Sequence, residues 1–266
     1  MPQKYGNLAK GLLIVIYLLL SACATQSESK TDGDALPTSA TSNNPKAASI
    51  NMQLGIGYLQ QGDIDRAKQK LMLAQKQDPN SPLVWDAMAY FYAATGDVQQ
   101  ANVLYKKAIA LAPNNGKTLN NYGVFLCDQG KYSQALMYFD KAVKDPAYVT
   151  TGQAYENAAL CAEQIPDMQK AQSLFTRALQ NDPTLSTSNL EMAEILFNQK
   201  KYSRSMFYLQ RYKMNAKPNA ESLWLEIQLA NMSGDQNTVA SDALLLKDQF
   251  PLSKEYQQFK KSGINL

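Results

Sequence analysis

Glu191 and Glu194 stand one helical turn apart, the spacing at which two carboxylates can divide acid–base work between them. Gly55, Gly57 and Gly62 form G-x-G-x4-G, close in outline to a loop that cradles phosphates. Three thiols, Cys23, Cys127 and Cys161, complete the residues whose types suggest chemistry. None of these assembles into a catalytic set. The glutamates have no cleft partner and read as an exposed helix face. The glycine spacing is wrong for a dinucleotide loop, no strand precedes it, and Gly55 falls where the pattern below needs a small residue. The 266 residues include no histidine, which removes Ser-His-Asp and Cys-His nucleophile systems and the zinc hydrolase motifs. No metal, cofactor or small-molecule substrate is expected. The chain reads as a binding scaffold, not an enzyme.

The elements that place these residues follow a ruler of 34 positions. From Pro82 it marks Trp85, Met88, Ala89, Tyr92, Ala101, Tyr105, Ala108 and Pro113. One step back it marks Asn51, Leu54, Gly55, Tyr58, Ala67, Leu71, Ala74 and Pro79. Two short helices explain the pattern. Small residues sit where the helices cross, larger ones fill the gaps, and proline ends the second helix because it cannot continue the amide ladder. This period resembles the tetratricopeptide repeat, which implies an all-α, right-handed superhelical solenoid. A third repeat starts near Gly116. After an extended connection over Ala147–Thr151, a fourth starts near Gly152, with Pro166 in its inter-helix turn. The fifth, from Ser186, has Ser205 and Tyr212 in place of alanines. The sixth, from Glu221, puts Gln228 at the small position and Ala240 and Leu244 on the buried face. Leu252, Tyr256 and Phe259 share one helical stripe and predict a C-terminal capping helix. Gly62-Asp63, Gly96-Asp97, Gly130-Lys131 and Gly234-Asp235 mark the turns within hairpins. Residues 47–266 are thus expected to hold six repeats and a cap.

Ahead of the repeats, Lys4 and Lys10 precede an apolar run from Gly11 to Leu20, too short to span a bilayer and laid out as a secretory signal. Leu20-Ser21-Ala22-Cys23 resembles the bacterial lipobox. That implies a signal peptide over 1–22 and a lipidated Cys23, with Ala24 pointing to the outer membrane; an ordinary cleaved signal is the alternative. Acyl chains hold a protein at about 0.8 kcal/mol per buried CH2, without a spanning helix. Residues 23–46 are polar and predict a flexible tether of roughly 25–30 Å. The formal net charge is +3, and loss of Lys4 and Lys10 with the signal would leave +1. That balance does not point to nucleic acid, and no basic stripe appears along the chain.

In an exported protein thiols pair where geometry allows. Cys127 and Cys161 fall on first helices of successive repeats, so a disulfide is expected; two small buried thiols are the alternative. Function in such arrays comes from the face lined by the first helices. There Met52, Ile56, Leu59, Leu83 and Tyr90 form an apolar strip, which Lys117, Asn120 and Asp128 continue as a polar rim. The clamp for C-terminal carboxylates needs Lys and Asn where this chain has Met52 and Ile56. The strip therefore predicts a groove for an apolar or amphipathic segment of a partner. Its own tether or a second copy would be the other occupants.

Three stretches go beyond a generic repeat: Asn120-Asn121-Tyr-Gly-Val-Phe-Leu-Cys127-Asp-Gln-Gly130, Phe139-Asp-Lys-Ala-Val-Lys-Asp-Pro146-Ala-Tyr148 and Tyr155-Glu-Asn157-Ala-Ala-Leu-Cys161. With the lipobox and six repeats they resemble the type IV pilus biogenesis/stability lipoprotein family, PilW/PilF. The resemblance implies a pilotin: a lipid-anchored, periplasm-facing outer-membrane protein that binds the pilus secretin subunit and promotes its localisation and multimerisation. The paired Leu-Cys motif also supports the disulfide. A tethered adaptor that docks envelope enzymes such as peptidoglycan hydrolases is the alternative class.

Overall fold

Turn residues and crossing residues decide where the helices of this chain begin, stop and touch. A computed structural model of the protein describes residues 43–165 and 168–264, and among them are thirteen helices and no strand. Six hairpins follow one another: α1 (Pro45–Gln60) with α2 (Ile64–Gln77), α3 (Pro82–Ala94) with α4 (Val98–Leu111), α5 (Gly116–Asp128) with α6 (Tyr132–Ala142). Then come α7 (Thr151–Glu163) with α8 (Met168–Asn181), α9 (Ser186–Asn198) with α10 (Tyr202–Asn215), and α11 (Ala220–Ser233) with α12 (Gln236–Gln249). A last helix, α13 (Lys254–Lys261), caps the array. The expected solenoid of six tetratricopeptide repeats and a cap is what the chain forms.

Within hairpins the turns obey the glycine rule. Gly62, Gly96, Gly130 and Gly234 all take positive φ, between 70° and 88°, and the residue after three of them caps the next helix. Asp63, Asp97 and Asp235 accept the N–H of Arg66, Gln100 and Thr238. In the fifth repeat Lys200 occupies the glycine place with φ 61°. The fourth turn includes Pro166, outside the described residues.

Crossings explain the rest of the period. Gly55 faces Leu71, and a Cβ there would lie 2.6 Å from the leucine Cγ. Gly123 faces Phe139 at 2.7 Å in the same way. Ala89/Tyr105, Ala159/Phe175 and Ala193/Leu209 repeat this small-against-large pair, and all six of those side chains are buried. Repeat six inverts it: Ile227 stands at the small position and Ala243 at the large one, so the pair keeps its volume. This settles the register there. The sixth repeat starts at Ala220 and not Glu221; Val239, Ala243 and Leu246 are buried, whereas Ala240 and Leu244 are exposed. The substitutions in repeat five are absorbed: Ser205 is fully buried and donates its hydroxyl to Ala193 O at 2.7 Å, and Tyr212 donates to Lys217 O at 2.9 Å.

Links between hairpins run four residues, from 78–81 to 250–253, except the link over 143–150, which runs eight. Its Asp145 accepts the Gly116 N–H at 2.7 Å, and Tyr148 packs on Gly116 so closely that a Cβ there would lie 2.6 Å from it. Across repeats α1 touches α3, α3 touches α5 and α5 touches α7, while no two even-numbered helices among the described residues pack together to that extent. The first helices of the hairpins, the odd-numbered α1 to α11, therefore form the inner wall of the solenoid and the second helices, the even-numbered α2 to α12, the outer wall. At the far end Phe259 of α13 packs with Ile227, Leu246 and the Trp224 ring, covering the last apolar face. Helix α1 begins at Pro45, capped by Asn44, so the last residues of the expected tether are helical. The apolar run over 11–20, Cys23 and the tether up to residue 42 lie outside the described residues. No helix among the described residues is long and apolar enough to cross a membrane.

Candidate functional site

The inner wall changes character from one end to the other. Because each first helix presents the same positions, the change can be followed residue by residue. Met52, Asp86, Asn120, Glu156, Leu190 and Trp224 share one position, and Ile56, Tyr90, Val124, Leu160, Glu194 and Gln228 hold the position one turn further on. With their neighbours, Ile56, Leu59, Leu83 and Tyr90 give the first two repeats an apolar strip, Asn120, Asn121 and Asn157 bring amides into the third and fourth, and Glu191, Glu194 and Glu221 bring carboxylates into the fifth and sixth.

At the apolar end Ile56, Leu59 and Leu83 are half-buried against the core, and Tyr90 is 43% exposed. Met52 is a correction to the expected strip. It is only 9% exposed and belongs to the core beside Ala48 and Leu71, because the small Gly55 draws the two helices of the first repeat together. Asn120 is a second correction. It is 7% exposed and its Oδ1 accepts an inter-repeat bond, so it is a buried wall residue rather than an open rim, although it still lines a cavity of that wall.

That bond belongs to a ladder. Asn121 Nδ2 donates to Asp86 Oδ2 at 2.8 Å, and Asn157 Nδ2 donates to Asn120 Oδ1 at 3.1 Å, each joining equivalent positions of consecutive first helices. Asp86 Oδ1 takes no hydrogen bond. Burial pushes the Asp86 carboxyl up to about 6, against the opposing pull of the Asn121 bond and of Lys117. A cavity of about 470 Å3 opens beside the ladder, lined by Tyr90, Tyr105, Asn121, Val124 and Asp128 among others. Lys117 is exposed. The structure joins Cys127 of α5 to Cys161 of α7 with Cα atoms 5.8 Å apart. The covalent bond and the Asn157–Asn120 rung thus both link α5 to α7, while the Asn121–Asp86 rung links α5 to α3.

In the fifth repeat the donor amide of the ladder is replaced by Glu191, which has no amide N–H to offer Glu156. Glu156 accepts instead from the Ser188 N–H and hydroxyl, at 2.9 and 2.7 Å. Glu191 and Glu194 are left half-buried, which corrects the expectation of an exposed helix face. Both are pushed up to about 7, first by burial, then for Glu191 by Glu163 and for Glu194 by Glu191; Glu221 adds to each. Burial and Glu194 raise Glu163 as well. Lys254 at the start of α13 reaches this group through Glu221, at 3.4 Å. Glu194, Glu221, Trp224, Phe197 and Lys254 line a cavity of about 300 Å3. The ladder and the acidic end do not show in the sequence taken one repeat at a time. Laying the six repeats in register, with the two-residue shift at the long link, exposes both.

Such a wall can grip an extended or helical segment along its length, apolar at one end and cationic at the other. Among the described residues no group of histidine, cysteine and carboxylate side chains is arranged to hold a metal ion.

Comparison with known proteins agrees with this architecture. Profiles described as Tetratricopeptide repeat match residues 51–81, 83–115, 104–137 and 126–186. The chain is 32% identical to the type IV pilus assembly protein PilF of Pseudomonas aeruginosa, over 94% of its own length and 96% of that protein. A solved structure from a functional characterisation of P. aeruginosa PilF matches with a TM-score of 0.76 at 33% identity, covering 81% of this chain and 97% of that one. The crystal structure of PilW, described as a widely conserved type IV pilus biogenesis factor, matches with a TM-score of 0.69 at 25% identity, covering 82% and 100%.

Proposed function

The chain belongs to the family of the type IV pilus assembly protein PilF, and from that premise we propose that it is a non-enzymatic pilotin for the pilus secretin. In this reading Cys23 carries the acyl anchor, the protein faces the periplasm from the outer membrane, and the inner wall holds a segment of the secretin subunit. Cargo bound to a lipoprotein travels wherever that lipoprotein is sorted, so one molecule supplies both the grip and the destination. The observation that carries the reading is the inner-wall strip of Ile56, Leu59, Leu83 and Tyr90, with Tyr90 turned outward at the edge of the cavity beside the ladder. Lys117 stands one repeat on from Leu83 and gives the strip a cationic rim.

Two substitutions and one pull-down test this. Ile56→Asp and Tyr90→Asp are expected to lower recovery of the secretin from solubilised envelopes by at least about tenfold, since each puts a charge where an apolar contact is desolvated. Helicity should be unchanged. Cys23→Ser is expected to leave a folded protein that no longer places secretin multimers in the outer membrane. Normal multimers in that mutant would end the transport role. Recovery of peptidoglycan hydrolases without secretin would favour the adaptor reading instead.

A further inference from the structure

Charge in this protein separates by helix parity. The even-numbered helices α2 to α12 carry thirteen Lys and Arg against four Asp. The odd-numbered helices α1 to α11 carry two Lys against eight Asp and Glu. The sequence shows no basic stripe because cations on one wall lie a repeat apart along the chain; folding gathers them. Four hold the same repeat position on the outer wall: Lys107, Lys141, Arg177 and Arg211. None of the four forms an ion pair among the described residues. Each lies instead over a ring: Lys107 over Trp85 at 3.4 Å, Arg177 over Tyr155 at 4.4 Å, Lys141 over Tyr138 at 5.2 Å and Arg211 over Phe207 at 5.6 Å.

One helical turn before these cations stand Val103, Met137 and Phe207, which are 57, 60 and 52% exposed. Large apolar side chains turned mainly to water, each followed on the same face by a cation, do nothing for the core. They match an interface that is anionic at its surface and apolar beneath. Between α6, α7 and α8 a cavity of about 430 Å3 is lined by Leu136, Met137 and Leu174 together with Lys170 and Arg177, so apolar and cationic groups also meet in one concave place.

We propose that the outer wall formed by α4, α6, α8 and α10 docks on an anionic phospholipid surface, with the four cations against lipid phosphates and Val103, Met137 and Phe207 entering the interface. A soluble polyanion or an acidic protein would be served by the cations but would gain nothing from the apolar set. The inference does not lean on the reading of the inner wall. It would turn the acidic wall away from the lipid and leave it open to a partner.

The test uses residues 41–266, whose core clusters are all drawn from residues 48–264, so the array folds without the segment before it. The protein is sedimented with vesicles of phosphatidylglycerol and phosphatidylethanolamine, and with vesicles of phosphatidylcholine, at low and high salt. Binding is expected to the anionic vesicles only and to weaken with salt. Lys107→Gln, Lys141→Gln and Arg177→Gln combined should lower partitioning by about a hundredfold; Arg211 is kept because it also donates to Pro183 O. Val103→Ser, Met137→Ser and Phe207→Ser combined should lower it by at least about tenfold, with helicity unchanged in both variants. Equal binding to both vesicle types, or a triple glutamine variant that binds like the parent, overturns the proposal. So does a triple serine variant that binds unchanged while heparin competes the protein off, since that pattern marks a soluble polyanion. Secretin capture would be unaffected by either result.

Discussion

Glu191 and Glu194 keep their protons in the folded protein up to about pH 7, because burial and the carboxylates of Glu163 and Glu221 oppose ionisation. In the unfolded chain the same groups release them near the ordinary glutamate value. Between those limits the folded state binds more protons, so stability falls as pH rises from about 5 to about 8 and then levels off. Asp86, pushed up to about 6, acts in the same direction. Asp63, Asp145, Asp182 and Asp235 are held low by their hydrogen bonds, and their effect is confined to more acid solution. Thermal melts should show a lower midpoint at about pH 8 than at about pH 5.5. Glu191→Gln with Glu194→Gln should shrink that difference and raise the midpoint at the higher pH. An unchanged difference would mean that the pair is solvated. The sequence showed the pair and its spacing, but a single helix face cannot reveal which carboxylates the neighbouring helices bring to it. Lys200 belongs to the same scale. A left-handed conformation costs a β-carbon-bearing residue about 1–2 kcal/mol, and glycine escapes that at a smaller entropic loss. Lys200→Gly should therefore stabilise the protein by roughly 0.5–1 kcal/mol in urea unfolding.

Helix pairs hold volume constant where single positions vary. Gly123 with Phe139 and Ala193 with Leu209 are two solutions to one crossing, and Ile227 with Ala243 is a third with the sizes exchanged. Gly123→Ala alone should destabilise by about 1–2 kcal/mol, overpacking against the Phe139 ring outweighing the gain in helix propensity. Adding Phe139→Leu recreates the pairing of the fifth repeat and should recover most of that loss. A double-mutant cycle with no coupling would refute the account. The same exchange explains what the sequence concealed. Small residues announced five crossings correctly, and Gly62, Gly96, Gly130 and Gly234 placed four turns. Repeat six, read from Glu221 with Gln228 at the small position and Ala240 on the buried face, slipped by one position, because the feature that persists there is the summed size of Ile227 and Ala243.

For the whole molecule the disulfide is the strongest single constraint. Cys127 and Cys161 are 34 residues apart in sequence, and closing a loop of that size stabilises by about 3–4 kcal/mol in the chain-entropy model. Reduction, or Cys127→Ser with Cys161→Ser, should lower the urea midpoint accordingly, with helicity at zero urea retained. A midpoint indifferent to reductant would show that the thiols are unpaired in solution. The solenoid, its repeat count and its cap were legible in the 34-residue period. The division into an apolar, an amide and an acidic stretch was not, since it emerges only when Asp86, Asn121, Asn157 and Glu191 are stacked in space.

A stack of hairpins behaves under tension as a coil spring, and a spring yields first at its longest turn. Here that turn is the eight-residue link over 143–150, and the cystine bridges the two inner helices on either side of it. Pulled from its ends, the oxidised protein should extend as one elastic body, whereas the reduced one should part into two lengths of three repeats each.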